Sequence, residues 1–87
     1  MSNTPAQPDR EALDRRSLIA AADAECRDLC AVLARRREAL RLTRTQLAGQ
    51  IGTSREMIRH WESGAGNPTM RYFVLWSRSL DFEIMLR

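Results

Sequence analysis

The sequence predicts an all-α domain of four to five helices, and three observations support this fold class. Two short segments near the middle of the chain each begin with a hydroxyl residue that can cap a helix and end at a glycine. Apolar residues recur every three or four positions through most of the remaining chain, which is the period of an amphipathic helix. The period changes only in residues 81–87, where Phe82, Ile84 and Leu86 alternate with Asp81, Glu83 and Met85, which predicts at most one short C-terminal strand. The length of 87 residues, with 44% of them apolar, suits one domain with a small core.

The first predicted segments lie before the two short helices. Residues 1–8 contain two prolines and mostly polar side chains, which is typical of a disordered tail. Residues 9–22 are charged and rich in alanine, and they are predicted to form an N-terminal helical extension. Residues 23–41 are predicted to form the first helix of the main domain, which spans residues 23–80. Whether the two helical segments are continuous or break near Asp23 stays open, because one helix across both would be unusually long for a globular domain.

The first helix of the main domain carries an apolar stripe with one charged member. The residues predicted to face inward are Cys26, Leu29, Cys30, Leu33, Arg37 and Leu40. A buried guanidinium needs a counter-charge, although a long arginine side chain can also reach solvent. The two cysteines are predicted to be buried, reduced thiols, because residues four apart on one helix have poor geometry for a disulfide.

The next two helices are short and are joined by a tight turn. They are predicted over residues 44–51 and 55–63. Each has a hydroxyl residue at its N-cap and a glycine at its end, namely Thr43 and Gly52 for the first helix and Ser54 and Gly64 for the second. Gln46 stands three residues after Thr43 and completes a capping box.

The second short helix has two faces of different chemistry. At about 100° per residue, one arc of roughly 140° is entirely polar. It contains Arg55, Glu56, Arg59, His60 and Ser63, whereas Met57, Ile58, Trp61 and Glu62 lie on the opposite side. Glu62 is therefore an acidic residue on a core-facing side, and it is the expected partner of Arg37. Most polar arcs of this kind are simply solvated, but a short turn between two capped helices directs this one outward, as in a helix-turn-helix.

Two elements complete the chain. Thr69 can cap a helix that runs to about Leu80, and the alternating residues 81–87 are predicted to form a strand. An unpaired strand edge usually recruits a partner, and the simplest partner is the same strand of a second copy, antiparallel across a two-fold axis. The predicted dimer interface is therefore Phe82, Ile84 and Leu86. A frayed tail or a continued helix is the alternative.

A specific set of residues is spaced along the central part of the chain. It consists of Arg37, Leu42-Thr43, Leu47-Ala48, Gly52-Thr53-Ser54, Ile58, Trp61-Glu62, Gly64 and Pro68. This set resembles the Cro/repressor-type (XRE-like) helix-turn-helix family over roughly residues 29–80, and it implies a lambda-repressor-like fold. In that family the positions of Arg37 and Glu62 commonly form an ion pair. Arg44 departs from the family pattern, which most often has glutamine there, and the C-terminal tail resembles that of certain antitoxins that share the motif.

The resemblance implies sequence-specific binding of double-stranded DNA. The expected function is that of a transcriptional regulator, a repressor acting as a homodimer on a palindromic operator. The residues expected to read bases are Arg55, Glu56 and His60, with Arg59 next, because arginine suits guanine and glutamate can accept from cytosine. Those expected to bind phosphates are Arg44, Thr45, Thr53, Ser54, Ser63 and Asn67. The basic charge, all of it arginine, is dense from Arg35 to Arg59, which suits a polyanion.

Other classes of function fit the sequence less well. The chain has one histidine and no catalytic constellation or metal-ligand spacing, so neither an enzyme nor a cofactor or metal is expected. It also lacks the aromatic platform of an RNA-binding module. The rival is an interaction protein, such as an antitoxin, that binds a protein partner through its N-terminal extension or tail. No apolar run is long enough to cross a membrane and no signal-peptide pattern is present, so a cytoplasmic location is expected.

Overall fold

The computed structural model describes residues 14–85 of the chain. These residues form four helices, which we number α1 (Arg15–Ala39), α2 (Arg44–Ile51), α3 (Arg55–Glu62) and α4 (Met70–Ser79). The described part of the chain contains no strand. The predicted all-α fold with two short central helices is confirmed, and the tail predicted for residues 1–8 lies outside the described residues.

Helix α1 answers the question that the sequence left open. It runs for 25 residues without a break at Asp23, so the part of the extension from residue 15 onward and the first helix of the main domain are one element, and residues 9–13 of the extension lie outside the described residues. Its N-cap is Asp14, whose carboxylate accepts a hydrogen bond of 2.7 Å from the backbone N–H of Ser17. That hydrogen bond lowers the pKa of Asp14 below its usual value.

The predicted caps of the next helices are present. Thr43 and Gln46 form the reciprocal capping box of α2, and the Ser54 hydroxyl accepts from the Met57 N–H at the start of α3. Gly52 and Gly64 follow α2 and α3 with φ of 80° and 81°, the left-handed conformation that glycine adopts without strain.

The core lies between the second half of α1 and the other three helices. Its buried apolar residues are Cys30, Leu33, Leu47, Ala48, Ile51, Ile58, Trp61, Trp76 and Leu80. Trp61 lies between Tyr72 and Trp76, with ring centroids 5.5 and 6.0 Å away. The Trp76 indole N–H is buried and has no hydrogen-bond partner among the described residues.

Two residues of the predicted inward stripe of α1 are exposed instead. Leu29 keeps 45% and Leu40 keeps 41% of its surface accessible. The buried face of α1 is narrower than predicted, because it is defined by Cys30, Leu33 and Arg37, which repeat at intervals of three and four residues. Leu29 and Leu40 lie at the edge of that face.

The C-terminal tail folds back onto the core of its own chain. Phe82 is half-buried, and its backbone N–H donates to the carbonyl of Ser77 at 2.9 Å. The guanidinium of Arg36 lies 5.5 Å from the centre of the Phe82 ring, and its Nε donates to the carbonyl of Leu80 at 3.1 Å. Residues 82–85 have no regular secondary structure, so the strand predicted over 81–87 is not formed there in a single chain.

The N-terminal part of α1 projects from the rest of the molecule. All of residues 14–23, which we call the arm, are exposed. Residues 14–85 measure 58 × 24 × 20 Å, and their radius of gyration of 16.7 Å exceeds the ~11 Å expected for a compact domain of that length. The elongation shows that the arm is not folded onto the core.

Candidate nucleic-acid interface

The outer face of α3 is a continuous polar surface on a firmly packed helix. Ile58 and Trp61 are buried beneath it at 0% and 3% exposure. The four residues predicted to read bases, Arg55, Glu56, Arg59 and His60, are all exposed. The structure therefore brings these four side chains together on one side of one helix, with the core on the other side.

Glu56 holds both arginines of this surface. Its Oε2 accepts from Arg55 at 3.3 Å, and its Oε1 accepts from the Nε of Arg59 at 3.0 Å. The two guanidinium groups are thus held along the outer face of α3 on either side of one carboxylate. Because Glu56 is occupied in this way, a contact from Glu56 to a cytosine amino group would require it to release one of the arginines.

His60 and Ser63 lie at the end of α3 beside the loop that follows. The His60 imidazole rests against Gly66 so closely that a Cβ on Gly66 would overlap its Nε2. The Ser63 hydroxyl donates to the carbonyl of His60 at 2.8 Å and accepts from the N–H of Ala65 at 3.3 Å. Ser63, expected to bind a phosphate, is therefore engaged in closing the helix end.

A buried ion pair connects α3 to α1. The Nε and Nη2 atoms of Arg37 donate to the two carboxylate oxygens of Glu62 at 2.6 and 3.0 Å, a bidentate arrangement. The side chains are only 8% and 4% exposed. The Nη1 atom of Arg37 donates to the carbonyl of Leu42 at 2.7 Å, so the guanidinium also fixes the start of the segment that leads into α2. The hydrogen bond to Glu62 raises the pKa of Arg37 above its usual value.

Arg44 is a third member of this group, which the sequence did not reveal. Its Nε donates to Oε1 of Glu62 at 2.9 Å, and its side chain is 34% exposed. Arg44 was expected to bind a phosphate from the first turn of α2. In the free chain it instead shares the carboxylate of Glu62 with Arg37, so that one acidic residue joins α1, α2 and α3.

The remaining residues expected to bind phosphates are placed around the two helix starts and the loop after α3. Thr45 is exposed in the first turn of α2, and Asn67 is exposed in the loop. Thr53 is half-buried in the turn, where its N–H donates to the carbonyl of Ala48 at 2.9 Å. The Ser54 hydroxyl is the N-cap acceptor of α3, and this leaves its own proton free to donate.

Sequence reasoning missed two residues that hold this surface in place. The Tyr72 hydroxyl donates to the carbonyl of Gly52 at 3.1 Å and so ties α4 to the turn between α2 and α3. Arg36 ties α1 to the tail through the Leu80 carbonyl and the Phe82 ring. No local pattern could have identified either contact, because the partners are 20 and 44 residues apart in the chain.

Within residues 14–85, no other group of polar side chains forms a candidate binding or catalytic site as clearly as the outer face of α3. No group of three potential metal-ligating side chains occurs within residues 14–85. Cys26 and Cys30 are free thiols, and burial raises the pKa of Cys30. None of the described helices is long and apolar enough to cross a membrane.

Comparison with known proteins gives one match. A family model described as helix-turn-helix matches residues 33–84, which include the C-terminal end of α1 from Leu33 to Ala39, helices α2 to α4 and most of the tail. The arm lies outside the matched segment. Neither a curated protein nor a solved structure matches the chain significantly.

Proposed function

The chain belongs to the Cro/repressor-type helix-turn-helix family and is a DNA-binding regulator of that type, and we propose that it represses transcription as a homodimer on a palindromic operator. The observation that carries the proposal is the outer face of α3. It presents three cationic or hydrogen-bonding side chains around Glu56 on a helix whose other side is buried. A helix of this kind fits the major groove of duplex DNA.

The side chains on the outer face of α3 are expected to make different contacts according to their position along the helix. Arg55 stands in the first turn, where residues of a recognition helix contact base edges, and its guanidinium suits the O6 and N7 atoms of guanine. Arg59 lies one turn later and is held beside Arg55 by Glu56. His60 lies against the following loop and can donate to a purine N7 or a guanine O6 from there.

Phosphate contacts are expected on both sides of α3. The exposed first turn of α2 presents Arg44 and Thr45 together with unpaired backbone N–H groups. Among the described residues only the Nε of Arg44 is engaged by Glu62, so its terminal nitrogen atoms can still bind a phosphate. We propose that Glu62 orients Arg44 for this contact. The loop residue Asn67 and the hydroxyl of Ser54 complete the expected set.

The proposal is tested by selecting binding sites from a random duplex library with the wild-type chain and two variants. Arg55→Ala is expected to cost about 1–3 kcal/mol on the selected site and to relax the preference at one base pair, because it removes a bidentate contact. Arg44→Ala is expected to weaken binding to all sequences alike and to reduce the salt slope by about one, because it removes one phosphate contact.

The two variants control for each other, since each loses one exposed or half-exposed arginine. A selected motif that is identical for the wild type and Arg55→Ala would show that Arg55 does not read a base. Failure of the wild-type chain to select any motif would contradict sequence-specific recognition altogether.

A second candidate function is supported by the arm. Leu18 and Ile19 each keep 52% of their surface accessible on a helix segment whose residues are all exposed. An antitoxin or related interaction protein would use such a surface, or its tail, to bind a protein partner while its helix-turn-helix binds DNA. Co-purification of a distinct protein from the source cell, lost on Ile19→Asp but kept on Arg55→Ala, would favour this function.

A further inference from the structure

The arm is a helical segment without a tertiary partner. Its residues 14–23 are all exposed, and the family match begins ten residues further along the chain, at residue 33. A helix of about this length is marginal in water when nothing packs against it. The charged and apolar residues of the arm therefore need an explanation other than the stability of the core.

An apolar stripe on the arm continues the core-facing side of α1. Ile19, Ala22 and Cys26 follow each other at intervals of three and four residues and lead directly to the buried Cys30 and Leu33. In the second half of α1 this side is covered by the other helices. On the arm the same side is uncovered, and the small side chain of Ala22 within the stripe allows another helix to approach closely.

The net charge of the arm changes sign along its length. Its N-terminal end, with Asp14, Arg15 and Arg16, has a net charge of +1, whereas Asp23 at its C-terminal end and the following Glu25, Arg27 and Asp28 have a net charge of −2. Two parallel arms would bring like charges together. Two antiparallel arms would bring the basic end of each beside the acidic end of the other, which is the complementary arrangement.

We propose that the arm is a self-association surface, on which α1 pairs with α1 of a second copy in antiparallel orientation. The two helices cross near Ala20. Ile19 and Ala22 of both copies form the apolar seam, and Arg16 of each copy faces Asp23 of the other. Arg16 and Asp23 are seven residues apart, so they lie on the same flank of the seam, and the two-fold axis generates this pair twice.

This arrangement also separates the buried parts of the two α1 helices by a distance similar to one turn of DNA. Leu33, at the centre of the buried part of α1, is thirteen residues from Ala20, or about 20 Å along the helix. Two such distances in opposite directions give ~40 Å, close to the 34–36 Å between half-sites one DNA turn apart.

Charge exchange in the full chain, followed by sedimentation equilibrium without DNA, tests the proposal. Arg16→Asp and Asp23→Arg are each expected to raise the dimer dissociation constant about fivefold or more, because each replaces two attractive pairs with two repulsive ones. The double variant Arg16→Asp/Asp23→Arg is expected to return to within about twofold of wild type, since both pairs are re-formed with the charges exchanged. Ile19→Asp is expected to abolish association, because it places a charge in the seam.

Matched controls separate the arm from other surfaces. Ser17→Asp introduces a charge on the opposite side of the arm and is expected to leave association unchanged. Thermal unfolding of every variant, at a protein concentration well below the dimer dissociation constant, is expected to match wild type, because the residues of the arm are all exposed. The inference is overturned if the wild-type chain is monomeric at roughly 0.5 mM, since a specific contact is expected to be tighter than the millimolar range. It is also overturned if Ile19→Asp dimerises like wild type, or if the double variant fails to recover. Because no DNA is present, none of these outcomes bears on DNA binding.

Discussion

At the scale of single residues, the stability of the site depends on how Glu62 is shared. This carboxylate accepts from Arg37 and Arg44, and it is 4% exposed while the two arginines are 8% and 34% exposed. The guanidinium of Arg37 cannot reach water without moving, whereas that of Arg44 can. The two arginines are therefore expected to respond differently when Glu62 is removed.

A double-mutant cycle measures this asymmetry. Glu62→Leu is expected to cost about 3–5 kcal/mol, because it leaves Arg37 charged and buried without a partner. Arg37→Met is expected to cost less, since Glu62 keeps Arg44. The double variant Arg37→Met/Glu62→Leu is expected to cost much less than the sum. Denaturant unfolding of the four proteins gives the required free energies.

Small and additive losses would contradict a stabilising buried ion pair. If each single variant costs less than roughly 1 kcal/mol and the losses add, the ion pair contributes as an exposed pair does, and the buried geometry does not govern stability. Arg44→Ala serves as the control, because its expected cost lies in that smaller range.

At the scale of elements, the helix ends show a pattern that the glycines alone did not indicate. Helices α1, α3 and α4 close with the same motif, in which a left-handed residue allows two backbone N–H groups to reach two different carbonyls of the last turn, whereas after α2 both N–H groups reach the carbonyl of Ala48. Gly64 supplies that residue after α3. Arg41 with φ 59° supplies it after α1, and Asp81 with φ 63° supplies it after α4.

Arg41 is the costly member of this set, because an arginine Cβ is strained in the left-handed region. Arg41→Gly is therefore expected to be more stable than Arg41→Ala by about 1 kcal/mol, since both remove the same exposed side chain and only glycine relieves the strain. Thermal or denaturant unfolding of both variants measures the difference.

Asp81→Gly provides a comparison, and its gain is expected to be smaller because aspartate tolerates this conformation better. Equal stabilities of Arg41→Gly and Arg41→Ala would show that the left-handed backbone at position 41 carries no strain.

At the scale of the whole molecule, the tail connects α1 to the end of α4. Arg36 contacts both the Leu80 carbonyl and the Phe82 ring, and Phe82 is half-buried against the core. Ile84 and Met85 beyond it are 48% and 81% exposed. The sequence grouped Phe82 with Ile84 and Leu86 as one dimer strip, but Phe82 is engaged within its own chain and Leu86 lies outside the described residues. Pairing of the tail with a second copy stays a prediction.

Two truncations distinguish the contacts of Phe82 within its own chain from the dimer interface predicted for the tail. Ending the chain after Glu83 retains Phe82 and is expected to leave the free energy of unfolding unchanged. Ending it after Leu80 removes Phe82 and is expected to cost about 1–2 kcal/mol, through lost apolar burial and the lost contact with Arg36. Denaturant unfolding compares the free energies of unfolding of the two truncated chains. Equal values would show that the contacts of Phe82 do not stabilise the fold. Sedimentation of the chain ending at Glu83 also tests whether the tail takes part in self-association.

Local rules were sufficient for much of this protein. Thr43, Ser54 and the glycines after α2 and α3 identified two short helices from the sequence, because capping and left-handed exits depend on residues within a few positions of each other. The period of α3 separated its polar face from its buried face, so the candidate site and the Arg37–Glu62 pairing could be predicted from the sequence alone. The same period could not decide whether α1 breaks near Asp23, since an unbroken helix and two adjacent helices share it.

The tertiary structure decided what depends on how the helices cross. Arg44 joins Glu62, Tyr72 reaches Gly52 and Arg36 reaches Leu80 across 18, 20 and 44 residues of sequence. Such contacts depend on the positions of whole elements, and periodicity within one element carries no information about them. For the same reason only the structure shows that the arm extends past the core with its apolar stripe uncovered. The sequence alone thus determined the two short central helices and which face of α3 is polar, whereas helix packing determined which charges are buried together and which surface of the arm stays uncovered.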